Sequence, residues 1–265
     1  MKLHINHITQ YAYDQPVDYA LQKIRLRPYD SVSQDVSDWK LIIDGGKLEA
    51  SYVDHYGNCV DLISTDIGAQ NLTITATGNV ITSDESGVFG KIYGRAPLWH
   101  FLQMTSLTQA NDTILDMSEV IKKRGDVLMG LHDLSNTVLE KTPYKVGETG
   151  IETTAADALK IGHGVCQDHA HIFISAARAA GIPARYVSGY LKINDQVDQD
   201  ASHAWAEAHI PSIGWVGFDV SNGVSPDEKY VRLAIGRDAR DAAPISGMRL
   251  GNADETMIVS LQVQQ

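Results

Sequence analysis

Cys166 has the setting in this sequence that best suits nucleophilic chemistry. It follows Gly162-His163-Gly164-Val165, and residues 166–180 carry apolar side chains at the i, i+3, i+4, i+7 spacing of an amphipathic helix. This spacing predicts that Cys166 lies in the first turn of the helix, where unpaired N–H groups favour a thiolate. The same groups could donate hydrogen bonds to an oxyanion that forms beside the sulfur. The alternative is a buried structural cysteine.

His203 and Asp219 are the candidates for a base and for the group that orients it. His203 begins a predicted strand, and Asp219 ends the next one. Because a hairpin can place a residue entering one strand beside a residue leaving its partner, the two side chains could be neighbours. An Asp bonded to one ring nitrogen fixes the tautomer, which leaves the other nitrogen to face Cys166. The order Cys, His, Asp on helix, strand and strand is one known arrangement of a thiol nucleophile.

Two kinds of element must position these residues. Short runs of alternating apolar residues, punctuated by Gly and Asn, predict a β-sandwich-like region in the first third. A stretch rich in Ser and Gly, residues 82–98, reads as a connection. Helical spacing begins after it, with Asp126 and Thr154 as predicted caps. We therefore predict an N-terminal β-domain over residues 1–85 and a catalytic domain over residues 86–265.

The composition excludes several classes of protein. The chain has 265 residues and a net charge of -11 without a basic cluster, so nucleic acid and anionic membranes are not expected partners. Two cysteines do not make a disulfide framework. The N-terminus does not read as a secretory signal, and no apolar run is long enough to span a membrane. The expected compartment is the cytoplasm, and the oligomeric state is left open.

Several stretches together make the sequence similar to the bacterial transglutaminase-like family, whose members are often described as cysteine proteases. The matching stretches are GVCQD (164–168), GIPARYVSGY (181–190), HAW (203–205), GWVGFD (214–219), GRD (236–238), DAAP (241–244) and, near the N-terminus, HITQYAY (7–13) with Pro16-Val17. The resemblance implies an α+β, papain-like (transglutaminase-like) core behind the N-terminal β-domain. It also implies that Cys166 attacks an amide carbonyl to give a thioester, while His203 transfers the proton and Asp219 orients His203.

The sequence departs from the family pattern in three places. Val220-Ser221 follow the aspartate where Pro-Thr is usual, and His169 stands where Phe is usual. Ala239 replaces an aromatic residue. The first departure could alter the strand end that holds Asp219, and the second could alter the pocket beside Cys166.

Three further residues are weaker candidates for contact with substrate or an oxyanion: Gln167, Tyr144 and Trp205. For Trp205 the alternative is packing within the sheet. No cofactor is expected. A metal site built on His163, His169 and His171 is rejected, because zinc needs three or four convergent ligands and no second ligand cluster lies nearby in sequence.

The sequence leaves three classes of function open. The leading hypothesis is hydrolysis of a protein or peptide amide, with cross-linking of protein glutamine to an amine as the alternative within the same chemistry. A non-enzymatic binding module on the same fold is the second class. A redox pair of Cys59 and Cys166 is a third, and it is disfavoured because the two cysteines fall in different predicted domains.

Overall fold

The N-terminal half is built from long antiparallel strands, and in β1 the odd-numbered residues face inward. A computed structural model of the chain describes residues 1–91, 95–194, 196–199, 201–251 and 253–265. In β1 (Lys2–Val17), Leu3 and Ile5 are fully buried while Lys2 and Gln10 face outward, as the period-2 alternation of a strand with one buried face requires.

Two sheets share this core. The first has the order β3-β6-β1-β14-β9 and the second the order β13-β2-β5-β4. Their strands are β2 (Tyr19–Ile24), β3 (Gln34–Asp44), β4 (Gly46–Val53), β5 (Cys59–Thr65), β6 (Ala69–Thr82), β9 (Asp198–Gln199), β13 (Ile245–Leu250) and β14 (Glu255–Gln264). Apolar residues of both sheets, among them Leu72, Ile63 and Val263, form one buried cluster.

The last two strands of the chain complete the first two sheets. β14 pairs with β1 from His4↔Gln264 to Tyr13↔Glu255, and β13 pairs with β2. The predicted domain limits of residues 1–85 and 86–265 stay a prediction. The strand pairing adds that residues 245–264 lie in the sheets of the N-terminal half.

The other half is a helical layer on a third sheet. The helices are α1 (Asp112–Arg124), α2 (Val127–Lys141), α3 (Ala155–Ile161), α4 (Cys166–Ala179) and the single turn α5 (Ala239–Ala242), preceded by a 3₁₀ turn (Leu98–Leu102). The sheet has the order β12-β8-β10-β11-β7, with strands β7 (Val88–Gly90), β8 (Ala184–Leu191), β10 (His203–Ile210), β11 (Gly214–Phe218) and β12 (Tyr230–Gly236). α4 is the central helix, and its Ile172, Phe173 and Ile174 are fully buried.

Local sequence signals place most of these helices. Asp126 accepts a hydrogen bond from Met129 N at the start of α2, and Thr154 accepts one from Asp157 N at the start of α3, so both predicted caps are confirmed. The connection predicted over residues 82–98 contains a strand, β7, which pairs with β11. Its three residues are too few to show a periodicity.

This is the α+β architecture with an N-terminal sheet region that the sequence predicts. Within the part of the chain described above, no helix is long and apolar enough to cross a membrane. The cytoplasmic location stays a prediction.

Candidate active site

Cys166 is the first residue of α4, as the sequence pattern predicts. Val165 precedes it in extended conformation and donates its N–H to Asp168 Oδ2 at 2.8 Å, while Thr149 Oγ1 donates to the same oxygen at 2.6 Å. Gly164 is required here because a Cβ on it would lie 2.8 Å from the Cβ of Asp168. The first-turn N–H groups of α4 have no acceptor within the helix, and Cys166 lies at this end of it. Asp168 is therefore a capping group of the helix.

Strand register brings His203 to Asp219. β10 and β11 pair with Ala206 opposite Phe218, so continuing the register places Asp219 opposite Trp205. His203 is then the diagonal neighbour of Asp219 on the same face of the sheet, within reach of a long side chain. The His203 Nε2 to Asp219 Oδ2 distance is 2.6 Å. The other ring nitrogen, Nδ1, is left to hydrogen-bond Cys166, with which His203 also interacts.

Two residues that the sequence analysis missed hold the carboxylate. Asp219 is fully buried, and its Oδ2 accepts hydrogen bonds from Asn222 Nδ2 and from the Tyr230 hydroxyl, each at 2.7 Å. Asn222 lies three residues after Asp219 in the turn that ends β11, a spacing typical of side chains that bond local backbone. Tyr230 comes from β12, and no short-range signal in the sequence connects it to Asp219.

The charges of the site favour a protonated imidazole. Burial alone lowers the pKa of His203, but its hydrogen bonds to Asp219 and Cys166, together with the negative charge that each can carry, raise that pKa to about 10. Burial raises the pKa of Asp219, but the hydrogen bonds from His203, Asn222 and Tyr230 and the nearby imidazolium bring it below its ordinary value. An imidazolium held between two anions is the form that stabilises a thiolate.

A cleft of about 460 Å³ opens in front of Cys166 and His203. One wall consists of α4, β10 and the segment from Ala242 to Ile245. The opposite wall comes from β1 and β14 and includes Thr9, Tyr11 and Val259. The cleft therefore lies between the third sheet and the first sheet, and its size suits a ligand that is mostly enclosed.

Gln167 and Tyr144 lie beside the cysteine. Gln167 lines the cleft, but its Nε2 donates to the carbonyl of Ile151 at 3.1 Å. Tyr144 is about half exposed and forms a parallel bridge with Gly164, just before Cys166. Burial raises the pKa of Tyr144, with additional contributions from the charges of Cys166 and Asp219. Both residues stay candidates for contact with substrate.

Trp205 occupies a different place from the one predicted. It is 1% exposed and packs in a buried aromatic cluster, with its ring centroid 6.3 Å from that of His203 and 5.5 Å from that of Tyr230. Alternation along β10 puts it on the same face as His203, but behind the imidazole instead of in the cleft. Trp205 therefore supports His203 and does not face a substrate.

The residues that depart from the family pattern contact neighbours of the site. His169 Nε2 lies 2.6 Å from the Thr142 carbonyl, and its Nδ1 lies 2.8 Å from Ser221 Oγ, so two of the departures bond each other. Ala239 lines the cleft, and its N–H donates to His171 Nε2. The two histidines thus have separate hydrogen-bond partners.

Cys59 lies away from this site. It begins β5 in the second sheet, and both it and Cys166 are free thiols. Burial raises the pKa of Cys59, although the charge of Arg27 lowers it in part.

A thiol at a helix N-terminus, a histidine on a central strand and a carboxylate at the next strand end define the papain-like class of fold. Family models match residues 3–81, as the bacterial transglutaminase-like N-terminal region, and residues 117–220, as the core of the transglutaminase-like superfamily. The chain therefore contains a transglutaminase-like core and a region similar to the N-terminal region of bacterial transglutaminase-like proteins.

Three similar proteins match this chain over different fractions of its length. A crystal structure from Cytophaga hutchinsonii, provisionally described as a cysteine protease, is similar with a TM-score of 0.76 and 27% identity, covering 100% of this chain and 91% of that one. An uncharacterized protein of Mycobacterium leprae is 27% identical over 99% of this chain and 98% of its own length. A protein-glutamine gamma-glutamyltransferase of Pseudomonas aeruginosa is 32% identical over 40% of this chain and 17% of its own length.

Proposed function

We propose that this protein is a thiol-dependent amide hydrolase that acts on proteins or peptides through a thioester intermediate. One observation carries the proposal: His203 is hydrogen-bonded through Nε2 to a fully buried Asp219 and also interacts with Cys166 at the first turn of α4. The site also opens into a cleft of about 460 Å³. A nucleophile, a base and an orienting acid in contact are the groups that acyl transfer needs.

In the acylation step the Cys166 thiolate attacks the carbonyl carbon of the amide. First-turn N–H groups of α4 stabilise the oxyanion. His203 donates its Nδ1 proton to the leaving nitrogen, the C–N bond breaks and an amine departs. The acyl group stays on sulfur as a thioester.

In the second step His203, now neutral, takes a proton from water, and the hydroxide oxygen attacks the thioester carbon. The C–S bond breaks, a carboxylic acid leaves, and the thiolate–imidazolium pair is restored. Asp219 stays ionised throughout, because Asn222 and Tyr230 keep two donors on its Oδ2 while the imidazole changes charge.

The rate of Cys166 alkylation by iodoacetamide between pH 5 and 9 tests the assembled site. We expect fast labelling of Cys166 below pH 7, with a loss of about tenfold or more in His203→Ala, because the imidazolium that stabilises the thiolate is removed. Peptide mass spectrometry separates this label from that on Cys59, whose burial makes it the internal control. An ordinary thiol profile that His203→Ala leaves unchanged would favour a non-enzymatic binding module on the same fold.

Protein-glutamine cross-linking is the second candidate, and the similarity of part of the chain to the Pseudomonas enzyme favours it. The two functions differ only in whether water or an amine attacks the thioester. Incubating the protein with a glutamine peptide and a labelled primary amine separates them. Release of ammonia without incorporated label supports hydrolysis, and incorporated label supports cross-linking.

A further inference from the structure

The wall of the cleft that faces Cys166 is formed by the first sheet. Strand register determines which side chains lie on this wall. β1 and β14 pair with Thr9 opposite Val259 and Tyr11 opposite Met257, so these four side chains lie on one face. Further along the same face, Leu3, Ile5 and Val263 are sealed in the core. The face therefore runs continuously from buried core to open cleft.

Exposure along this face shows where the core ends and the cleft begins. Leu261 is 1% exposed and lies opposite His7, which is 3% exposed. Four residues further towards the start of β14, Met257 is 56% exposed. A large apolar side chain is left open on the face that looks toward Cys166.

Apart from the Cys166–His203 pair, the cleft is lined by uncharged side chains. Among the described residues that line it, the titratable side chains are His7, Tyr11, Cys166, Tyr186 and His203, and there is no Lys, Arg, Asp or Glu. Burial lowers the pKa of His7 to about 4, so His7 is neutral at physiological pH. Away from that pair, the described lining of this cleft offers no opposite charge, so a charged side chain of a ligand would lose its hydration without a partner.

The cleft continues beyond Met257 into a second hollow of about 380 Å³, and the two share Tyr11, Ile245 and Met257. Arg249 and Glu255 lie in the second hollow, 4.0 Å apart. A groove that runs from the nucleophile across two hollows fits an extended chain better than a small compact ligand.

We infer that Met257 and Val259 of β14, with Tyr11 of β1, form a specificity wall that selects a peptide with an apolar side chain beside the amide attacked by Cys166. The inference rests on the proposed function and adds its substrate class. Tyr11 and Met257 line both hollows, so a side chain that crosses from the first hollow to the second would contact them. Apolar area removed from water there favours Leu or Phe over Glu or Lys.

Thiol-directed probes test the wall without requiring turnover. Peptidyl chloromethyl ketones that differ only in carrying Leu, Phe, Glu or Lys beside the reactive carbon alkylate Cys166 with loss of chloride. We expect the Leu and Phe probes to react at least about tenfold faster than the Glu probe, a discrimination typical of an apolar subsite. Met257→Glu should remove most of that preference, and Met257→Lys should raise the rate of the Glu probe above that of the Lys probe.

Ile258→Glu is the matched control, because Ile258 is 64% exposed on the opposite face of the same strand. It should leave every probe rate unchanged, and Met257→Gln gives a milder change should Met257→Glu fail to fold. Equal rates for all four probes in the wild type, or an equal response to Met257→Glu and Ile258→Glu, would overturn the inference. Iodoacetamide labelling reports separately on the His203–Cys166 pair, so failure of the wall and failure of the proposed function give different results.

Discussion

The proton on His203 is held by the carboxylate of Asp219. Burial by itself disfavours an imidazolium, yet the pKa of His203 rises to about 10, above the ordinary value of 6.5. Because the pKa is higher in the folded chain than in the unfolded chain, His203 contributes stability that is fully present below pH 6.5. That stability is lost as the pH rises through about 10.

Asp219→Asn should therefore lower the pKa of His203 and weaken the stability that depends on its proton. The amide that replaces the carboxylate carries no charge, so the effect of burial, which lowers the pKa of His203, is no longer offset by Asp219. We expect the midpoint of the His203 titration, followed by ¹⁵N NMR of the ring nitrogens, to fall by more than one pH unit. The gap in unfolding free energy between wild type and Asp219→Asn should narrow as the pH rises from 7 to 10.

Cys166→Ala provides the comparison, since the thiolate also contributes to the pKa of His203. It should lower the midpoint while leaving the bond to Asp219 in place. A wild-type midpoint close to 6.5 would show that Asp219 does not hold the proton.

At the scale of elements, His169 joins three segments that surround the nucleophile. It lies on α4, three residues after Cys166, and contacts the Thr142 carbonyl after α2 and Ser221 after β11. Since a carbonyl can only accept, Nε2 carries the hydrogen and Nδ1 accepts from the Ser221 hydroxyl. Burial lowers the pKa of His169 below its ordinary value, which favours this neutral form.

His169→Phe should destabilise the protein by about 1–3 kcal/mol near pH 8, because the Thr142 carbonyl and the Ser221 hydroxyl lose their partner. The pKa of His169 is lower in the folded chain, so protonation favours the unfolded chain. The stability that His169 gives is therefore complete above pH 6.5 and declines as the pH falls. Urea unfolding at pH 8 and pH 5 measures the difference, which we expect to be smaller at pH 5.

The double variant His169→Phe/Ser221→Ala tests whether the two residues act together. The double variant should lose less free energy of unfolding than the sum of the two single variants, because each single change removes the same hydrogen bond. Strictly additive costs would mean that the bond between His169 and Ser221 contributes nothing to stability.

The elements that could be predicted from the sequence are those whose signals lie within a few residues of each other. The start of α4 at Cys166, its end before Gly181 and the caps of α2 and α3 all follow from spacings of a few residues. Tyr230 on Asp219 and the second wall of the cleft depend on strands brought together across the chain. β14 pairs with β1 over a separation of about 250 residues, and alternation within either strand does not identify its partner.

Side-chain amides connect the N-terminal half to the third sheet by forming hydrogen bonds with the backbone of β12, as a neighbouring strand would. β12 is an edge strand of the third sheet, and amide groups from the N-terminal half cover its free edge. Asn58 Nδ2 donates to the Ile235 carbonyl and Asn58 Oδ1 accepts from Ile235 N, each at 2.8 Å. Gln34 does the same with the carbonyl and N–H of Arg232, at 3.0 and 2.8 Å. Backbone groups that would otherwise be buried without partners are thus satisfied.

Shared apolar packing strengthens this connection. Tyr190, Val231 and Leu233 of the third sheet belong to the same buried cluster as Leu3 and Ile5 of β1. Because Tyr230 sits at the start of β12, support of this edge also supports the carboxylate of Asp219. We therefore expect the two halves to unfold together.

Asn58→Ala should destabilise both halves by about 2–5 kcal/mol, because it leaves the buried N–H and carbonyl of Ile235 without partners. Asn79→Ala is the matched control and should cost less than about 1 kcal/mol, since among the described residues the side chain of Asn79 has a single long contact, 3.3 Å to His4. Two probes follow the transition in a Trp39→Phe/Trp99→Phe background: fluorescence of Trp205 and Trp215, which then reports on the third sheet, and hydrogen exchange of the β1 amides. Coincident shifts of both probes in Asn58→Ala support one cooperative unit. A shift of the fluorescence transition alone would mean that the N-terminal sheets unfold independently, and the wall opposite Cys166 would then rest on a separately folding body.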